Sequence, residues 1–576
     1  MIIPSSPLNS PASGSIPVQP SSDRREEPDI VSDEVRPGRE AAIKRHGEAE
    51  IPNPSVPADP EKTPTQGAGA AQGNVPTQGA GAGNNAELVK QLEAYLGKIM
   101  NDPQAEAEMI QMLATLNASG ELRPVLHQVA IKAAESGSLT PMPEQKRKEM
   151  VEQLADMIDA EFRSHGMTPD TSAQIYTNWE TMAREHLAKV QNSQIPPRGP
   201  GELSCFTEPS FQKELESLQG APFRSGSSIT PLIDGPASFA ERNRLIEEAT
   251  SSIHMMTWAF YDDETGRDTA EKLVAKRREG LDVQVVVDGQ VSERTPHRET
   301  LKFMEDNGVE VVRWRDPENP YNGQHRKVLI VDGHAAIAGG LNAGNVYSHM
   351  GPKDGQKWRD TDVLLEGPAV ADCERLFTSV CGRNVNPEAP PPAGVARSAV
   401  VNHAPGKDAH IMLATMKAIQ GASESVDIEN AYFIDTPGMR KVLMDALERG
   451  VNVRILTNSA ESVDEQIVSA PILRSLPDLV AAGAEVYLKR GDTLHSKFMV
   501  VDGVYSSVGS YNLHPRSERY EGEMTINTLD AQTAASLTQT FENDIGKATR
   551  VVSPEQIQVP ENILTTIVDR YFFDQL

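Results

Sequence analysis

HRKVLIVDGHAAIAGGLN, residues 325–342, has a counterpart 170 positions further on, HSKFMVVDGVYSSVGSYN, residues 495–512. Each copy reads His, any residue, Lys, four residues, Asp-Gly, then a Gly-Gly or Gly-Ser pair followed two positions later by Asn. The same spacing relates Lys327 to Lys497, Asp332 to Asp502, Gly339 to Gly509 and Asn342 to Asn512. A repeat this long marks a duplicated domain and not a solenoid of short units.

The pattern fixes where its groups point. VLIVD and FMVVD are short, continuous apolar runs rich in branched residues, which predicts buried strands. Residues i and i+2 of a strand share a face, so His325 points with Lys327 and His495 with Lys497. Asp-Gly is a tight-turn signal, and the residues beyond it read as return strands that bring Asn342 and Asn512 back beside the His and Lys. Gly339, Gly340 and Gly509 remove side chains where a ligand or backbone must come close. Two facing copies would give a site with two imidazoles and two ammonium groups. Such a site suits a phosphodiester: a neutral His attacks phosphorus and a protonated His delivers a proton to the leaving alcohol. Lysines and asparagines offset the charge on the non-bridging oxygens, so no metal and no cofactor is called for.

A lone His-x-Lys-x4-Asp arises by chance in roughly a few per cent of chains this long and is more often a surface His than a catalyst. Two copies with matched Gly and Asn remove chance as an explanation. For Asp332 and Asp502, each beside a turn, a capping or pairing role outweighs chemistry.

The paired motifs resemble those of the phospholipase D superfamily. IHMMTWAFYDDETG (from Ile253), EGLDVQVVVDG (from Glu279) and WRDTDVLLEGPAV (from Trp358) are similar to the first half of a cardiolipin-synthase-type member. VDIENAYFID (from Val426), RGVNVRILTN (from Arg449), AAGAEVYLKRGDTLHSK (from Ala481) and RSERYEGEMTI (from Arg516) are similar to its second half. The resemblance implies an α/β fold of two αβα lobes about a pseudo-two-fold axis, with one active site between them. It also implies one acidic residue per lobe that orients the opposite lobe's His; Asp360 and Glu523 stand at those positions. Glu521 departs from the pattern, since many members have Asn there.

The expected organisation is a disordered tail over 1–85, a small helical bundle over 86–190, a linker over 191–205, and lobes over 206–395 and 396–576. The tail is rich in Pro, Ser, Gly and Ala, repeats PTQGAGA at Pro64 and Pro76, and cannot bury enough apolar surface to offset chain entropy. Its first 22 residues carry no charged side chain. They lack the basic start and apolar run of a secretory signal peptide but resemble the amino termini of bacterial type III effectors. The bundle shows helical periodicity, as in Leu88, Leu92, Tyr95, Leu96 and Ile99, and no visible chemistry. A secretion chaperone or a host protein is the partner expected for it.

The chain of 576 residues carries a net charge of −27, and its pI is about 5.0, which speaks against a nucleic-acid binder built on phosphate neutralisation. Three cysteines, Cys205, Cys373 and Cys381, form no metal or disulfide pattern. No stretch approaches a membrane span, whereas cardiolipin synthases of this type usually carry spanning helices before the lobes. The expectation is a soluble enzyme meeting lipid at a membrane interface, secreted into a host cell or else cytoplasmic.

The function expected is cleavage or exchange of a glycerophospholipid phosphodiester through a phospho-histidine. His325 is the expected nucleophile and His495 the general acid, with near symmetry leaving the roles exchangeable. Lys327, Lys497, Asn342, Asn512 and the Ser510 hydroxyl are the expected phosphate ligands. Two alternatives stay open: a nuclease with the same site chemistry, and an inactive scaffold that works through the helical region. The stretch from Tyr347 to Lys357, with His349 and Met350, is a candidate cover for the site.

Overall fold

The computed structural model describes residues 82–576, apart from 100, 140, 141, 165, 166, 295, 320 and 354. The expected disordered tail, up to residue 81, and the secretion signal placed in it lie outside the described residues.

The first lobe supplies β1 (Arg224–Ile233), β2 (Ser252–Thr257), β3 (Asp282–Asp288), β4 (Glu310–Trp314), β5 (Gly323–Gln324), β6 (Val328–Val331), β7 (Ala335–Gly339) and β8 (Thr361–Glu366). The second supplies β9 (Ala396–His403), β10 (Ser425–Asn430), β11 (Asn452–Asn458), β12 (Glu485–Lys489), β13 (Lys497–Val501), β14 (Tyr505–Gly509), β15 (Glu521–Leu529) and β16 (Thr549–Val551). Antiparallel β1 and β9 lie at the centre of one continuous sheet. Outward from β1 run β8, β7, β6, β2, β3 and β4; outward from β9 run β15, β14, β13, β10, β11, β12 and β16. The two halves repeat the same order, as a pseudo-two-fold axis between β1 and β9 requires.

The sequence explains the register. Val328 faces Ala338 across one hairpin and Phe498 faces Val508 across the other. The turns place Asp332 and Asp502 at φ of 53° and 51°, a left-handed conformation that Asp tolerates. Each carboxylate is fixed by the turn before β2 or β10. Asp332 accepts from the backbone N–H of Thr250, Ser251 and Ser252 at 2.7–2.9 Å. Asp502 accepts from those of Ser423, Glu424 and Ser425. Both aspartates therefore act at the far end of the hairpin from the imidazoles. One apolar layer joins the lobes, packing Val328, Ile330 and Phe377 with Phe498, Ile526 and Phe541.

The amino-terminal helices α1 (Ala82–Glu93), α2 (Pro103–Ser119), α3 (Leu122–Glu135), α4 (Glu144–Ser164) and α5 (Pro169–Gln191) have clear punctuation. In α2, for example, Asp102 caps the start, Pro103 opens the first turn and Gly120 closes the end at φ 78°. They do not form a free-standing core. Leu113, Leu126, Leu154 and Trp179 pack with Tyr432, Ile434, Val463 and Ile472 of the second lobe and with Ile567, Tyr571 and Phe572 near the C-terminus. A buried ion pair reinforces the joint: Arg570 Nε donates to Glu106 Oε1 at 2.7 Å.

The stretch expected to be a linker is also bound. Arg449 donates to the Arg198 carbonyl at 2.9 Å, and Gly201 N–H donates to Glu424 at 2.7 Å. Phe206 and Phe211, assigned from sequence to the start of the first lobe, sit in the second lobe's core with Ile411 and Tyr505. An aromatic pair needs an apolar wall, and the helix His410–Gln420 provides it. Among the described residues no helix is long and apolar enough to cross a membrane.

Candidate active site

Each motif histidine is tied twice to the opposite lobe, once through its backbone and once through its ring. The backbone N–H of His325 donates to the Gly522 carbonyl at 2.9 Å, and the backbone N–H of His495 donates to the Arg359 carbonyl at 2.7 Å. Gly522 and Arg359 immediately precede Glu523 and Asp360, so each crossover delivers a carboxylate to the ring it holds. His325 Nδ1 lies 2.9 Å from Glu523 Oε1, and His495 Nδ1 lies 2.7 Å from Asp360 Oδ2. An Nδ1–H held by a carboxylate fixes the tautomer and leaves the Nε2 side of each ring for a substrate.

Both crossovers are braced by an arginine from the first lobe. Arg326 donates to Asn402 Oδ1 at 2.8 Å and to the His403 carbonyl at 2.7 Å. Its guanidinium lies where any side chain at position 522 would project, hence Gly522. Arg359 donates to Asp544 at 2.6 Å and lies 3.3 Å from Glu429. Opposite it stands small Ser496. Gly340 serves a similar end, since a Cβ there would strike Asp360; at Gly509 it would strike the Met524 carbonyl.

Lys327 and Lys497 are buried and donate to the carbonyls of His325 and His495. Burial pushes their ammonium groups down to about 7 and about 8. Burial, helped by Lys327, pushes His325 well below the ordinary imidazole range, and burial and Lys497 lower His495. Asp360 is held below the usual carboxylate range, His495 outweighing the effect of burial. Burial raises Glu523, although Lys327, Ser510 and Ser517 oppose it.

Two of the expected phosphate ligands, Asn342 and Ser510, have side-chain partners of their own. Asn342 Oδ1 accepts from the Thr257 hydroxyl at 3.0 Å, and its Nδ2 donates to the Tyr347 hydroxyl at 2.9 Å. Ser510 Oγ donates to Glu523, so this hydroxyl supports the acid and does not stand free for phosphate. Asn512 is buried beside them, and its Oδ1 has no hydrogen-bond partner among the described residues.

Sequence reasoning gave no role to the aromatic groups here. Trp358 stacks on His495 with centroids 5.4 Å apart, and Tyr347 meets the same ring edge-on at 5.2 Å. Trp258 approaches His325 edge-on at 5.9 Å. Of the stretch from Tyr347 to Lys357, Tyr347 meets the site, while Trp358 lies just beyond that stretch; His349 Nε2 bonds the Trp358 carbonyl at 2.8 Å and Met350 is exposed. Among the described residues, His325, Glu521 and Glu523 are the one set whose ligand atoms, within 4.8 Å of one another, could hold a metal ion.

Residues 243–349 and 415–545 match the family described as "Cardiolipin synthase, PLD-like domain". The fold is that of phosphatidylserine synthase from Haemophilus influenzae Rd KW20, with TM-score 0.52, 16% identity, and coverage of 63% of this chain and 98% of that one. Over both of the matched segments the chain is similar to the phospholipase D superfamily. Within it, the chain is similar to the major cardiolipin synthase ClsA of Bacillus subtilis, at 29% identity over 59% of this chain and 73% of that protein. It is also similar to cardiolipin synthase A of Pseudomonas entomophila, at 28% identity over 60% and 74%.

Proposed function

We propose that the chain cleaves or exchanges the phosphodiester of a glycerophospholipid by two displacements at phosphorus. In the first, His325 Nε2 forms a bond to phosphorus as the bond to the headgroup oxygen breaks, and His495 gives its proton to that oxygen. In the second, His495 takes a proton from water or an alcohol, whose oxygen attacks phosphorus and releases His325. Lys327 and Lys497 offset the charge on the non-bridging oxygens throughout. The observation that carries this reading is the crossed pair of contacts, His325 with Glu523 and His495 with Asp360, each spanning the two lobes. Assigning His325 as nucleophile is supported by the strong depression of its proton affinity, which keeps the ring neutral before attack.

The lipid substrate is supported by the cardiolipin synthases to which the chain is similar and by its net charge of −27, which disfavours a nucleic-acid groove. The test is lipid mass spectrometry after mixing the protein with phospholipid vesicles in the presence of ethanol, with His495→Ala as control. Phosphatidylethanol that is absent with the variant supports the reading. No lipid turnover, with cleavage of single-stranded or duplex DNA instead, overturns it in favour of a nuclease. Delivery into a host cell through the uncharged first 22 residues is a separate proposal; export that survives their deletion sinks it.

A further inference from the structure

The pseudo-symmetry pairs Trp358 with Glu521, each two residues before the acid of its lobe, and Tyr347 with Ser517, each five residues after the motif Asn. The environments of the two imidazoles therefore differ in kind. His495 has the Trp358 face, the Tyr347 edge and one carboxylate. His325 has two carboxylates: Glu523 Oε1 at 2.9 Å and Glu521 Oε2 at 3.8 Å from the same Nδ1. Both acids are fixed by one hydroxyl, since Ser517 Oγ lies 2.7 Å from Glu523 Oε1 and 3.2 Å from Glu521 Oε2. Arg516 Nε holds the other oxygen of Glu521 at 3.0 Å, which aims Oε2 at the ring.

We infer that Glu521 is a positioning residue that acts through His325, its carboxylate stabilising positive charge on the ring and so setting the lifetime of the covalent intermediate. This rests on the reaction proposed above. Once His325 Nε2 carries the phosphoryl group and Nδ1 keeps its proton, the ring is a cation. A second buried carboxylate stabilises that cation, so the P–N bond forms more readily and breaks less readily. Burial works against the charge on Glu521, but His325 and then Arg516 outweigh it and hold the carboxyl below its ordinary range. The other charged or titratable neighbours are Lys327, Lys497 and His495 around His325, and His514 and Glu523 around Glu521. Asp288 of β3 also faces Glu521.

The test separates the two half-reactions in the full-length protein. Vesicles of phosphatidylethanolamine and phosphatidylglycerol, with ethanol as acceptor, are mixed rapidly and quenched in alkali, and the phosphatidylated His325 peptide is quantified by mass spectrometry. Removing a charge this close shifts an imidazole by about one unit, or about threefold in each half-reaction at a Brønsted slope near one half. Glu521→Gln should therefore slow adduct formation and speed its breakdown by roughly that factor. Arg516→Gln, which removes the contact that aims Oε2 at the ring and helps keep the carboxyl ionised, should move both steps in the same directions as Glu521→Gln but by less. A merely structural role would slow both steps in either variant, and that result, or no change in either step, overturns the inference. If Glu521→Gln melts before assay, the sign of the Arg516→Gln effect decides alone. Turnover without a trapped adduct in the unaltered protein also overturns the inference, and an unaltered protein that turns over no lipid overturns the proposed function with it.

Discussion

The hydroxyl of Tyr347 accepts a hydrogen bond from Asn342 Nδ2 at 2.9 Å, while the ring of the same tyrosine meets His495 edge-on at 5.2 Å. One side chain thereby links the Asn of the first repeat to the His of the second. Tyr347→Phe removes only the hydroxyl and leaves the buried amide short of an acceptor, at a cost of about 1–3 kcal/mol. We expect a lower melting temperature and turnover reduced several-fold, with the loss in kcat larger than the change in KM. Equal kinetics in the variant would exclude the link from function.

The crossed acids make a second prediction. Asp360→Asn keeps the shape of the carboxylate but no longer supports an imidazolium at His495. Turnover should fall at least a hundredfold, on the order seen when an orienting carboxylate is removed. Stability, followed by thermal melting, should change far less. Gly340→Ala should reproduce the kinetic loss without replacing an ionisable group, because the new methyl pushes Asp360 off the ring.

The buried lysines set a pH dependence for phosphate binding. Lys497 and Lys327 lose their protons near about 8 and about 7, and a phosphate needs both charged. Affinity for inorganic phosphate, measured by calorimetry, should be greatest below this window and weaken as pH rises through it. Lys327→Met should remove the lower step. A flat profile from pH 6 to 9 would show that the lysines stay charged.

Asp332 gives a prediction of the opposite sense. Burial works against its charge, but the bonds from Ser252, Ser251 and Thr250 hold its carboxyl far below the usual range. A carboxyl whose affinity for protons is lower when folded stabilises the fold above its unfolded value, near 3.9, and that stability is lost on further acidification. Asp332→Ala should lower the melting temperature at neutral pH, and the gap from the unaltered protein should narrow below about pH 4.

Arg359 carries a fifth. It is buried between Asp544 and Glu429, and Arg359→Met would leave two buried carboxylates without their partner, at about 3–5 kcal/mol. Glu429→Gln in the same chain should recover part of that loss, which denaturant unfolding would detect. Additive effects would show that the pair is not coupled.

The hairpins and the identity of the two imidazoles were legible because each rests on a local pattern: strand periodicity, an Asp-Gly turn, a repeat. The acids that cross to them were expected only from the resemblance to the phospholipase D superfamily. The neighbours of those groups were not. Nothing in a linear string says that position 522 must be Gly because Arg326 fills its space, or that Trp358 lies on His495. The clue available was comparison of the copies with each other, where Trp358 meets Glu521 and Tyr347 meets Ser517. The attachment of α1–α5 to the second lobe was hidden for another reason. An amphipathic face shows that something covers it but not what, and here the cover comes from Tyr432, Ile472 and the last helical turn of the chain.

Because each imidazole takes its carboxylate from the other lobe, neither lobe holds a working half of the site. The chemical units run diagonally, His325 with Glu523 and His495 with Asp360, and the two duplicated segments are bound to a shared history. A drift in one acid is felt by the histidine of the other copy, so the repeats can specialise their surroundings, as Trp358 and Glu521 have done, but cannot part company. A chain nicked in the stretch between Arg383 and Ala393 would yield two inert pieces whose chemistry returns only on reassembly.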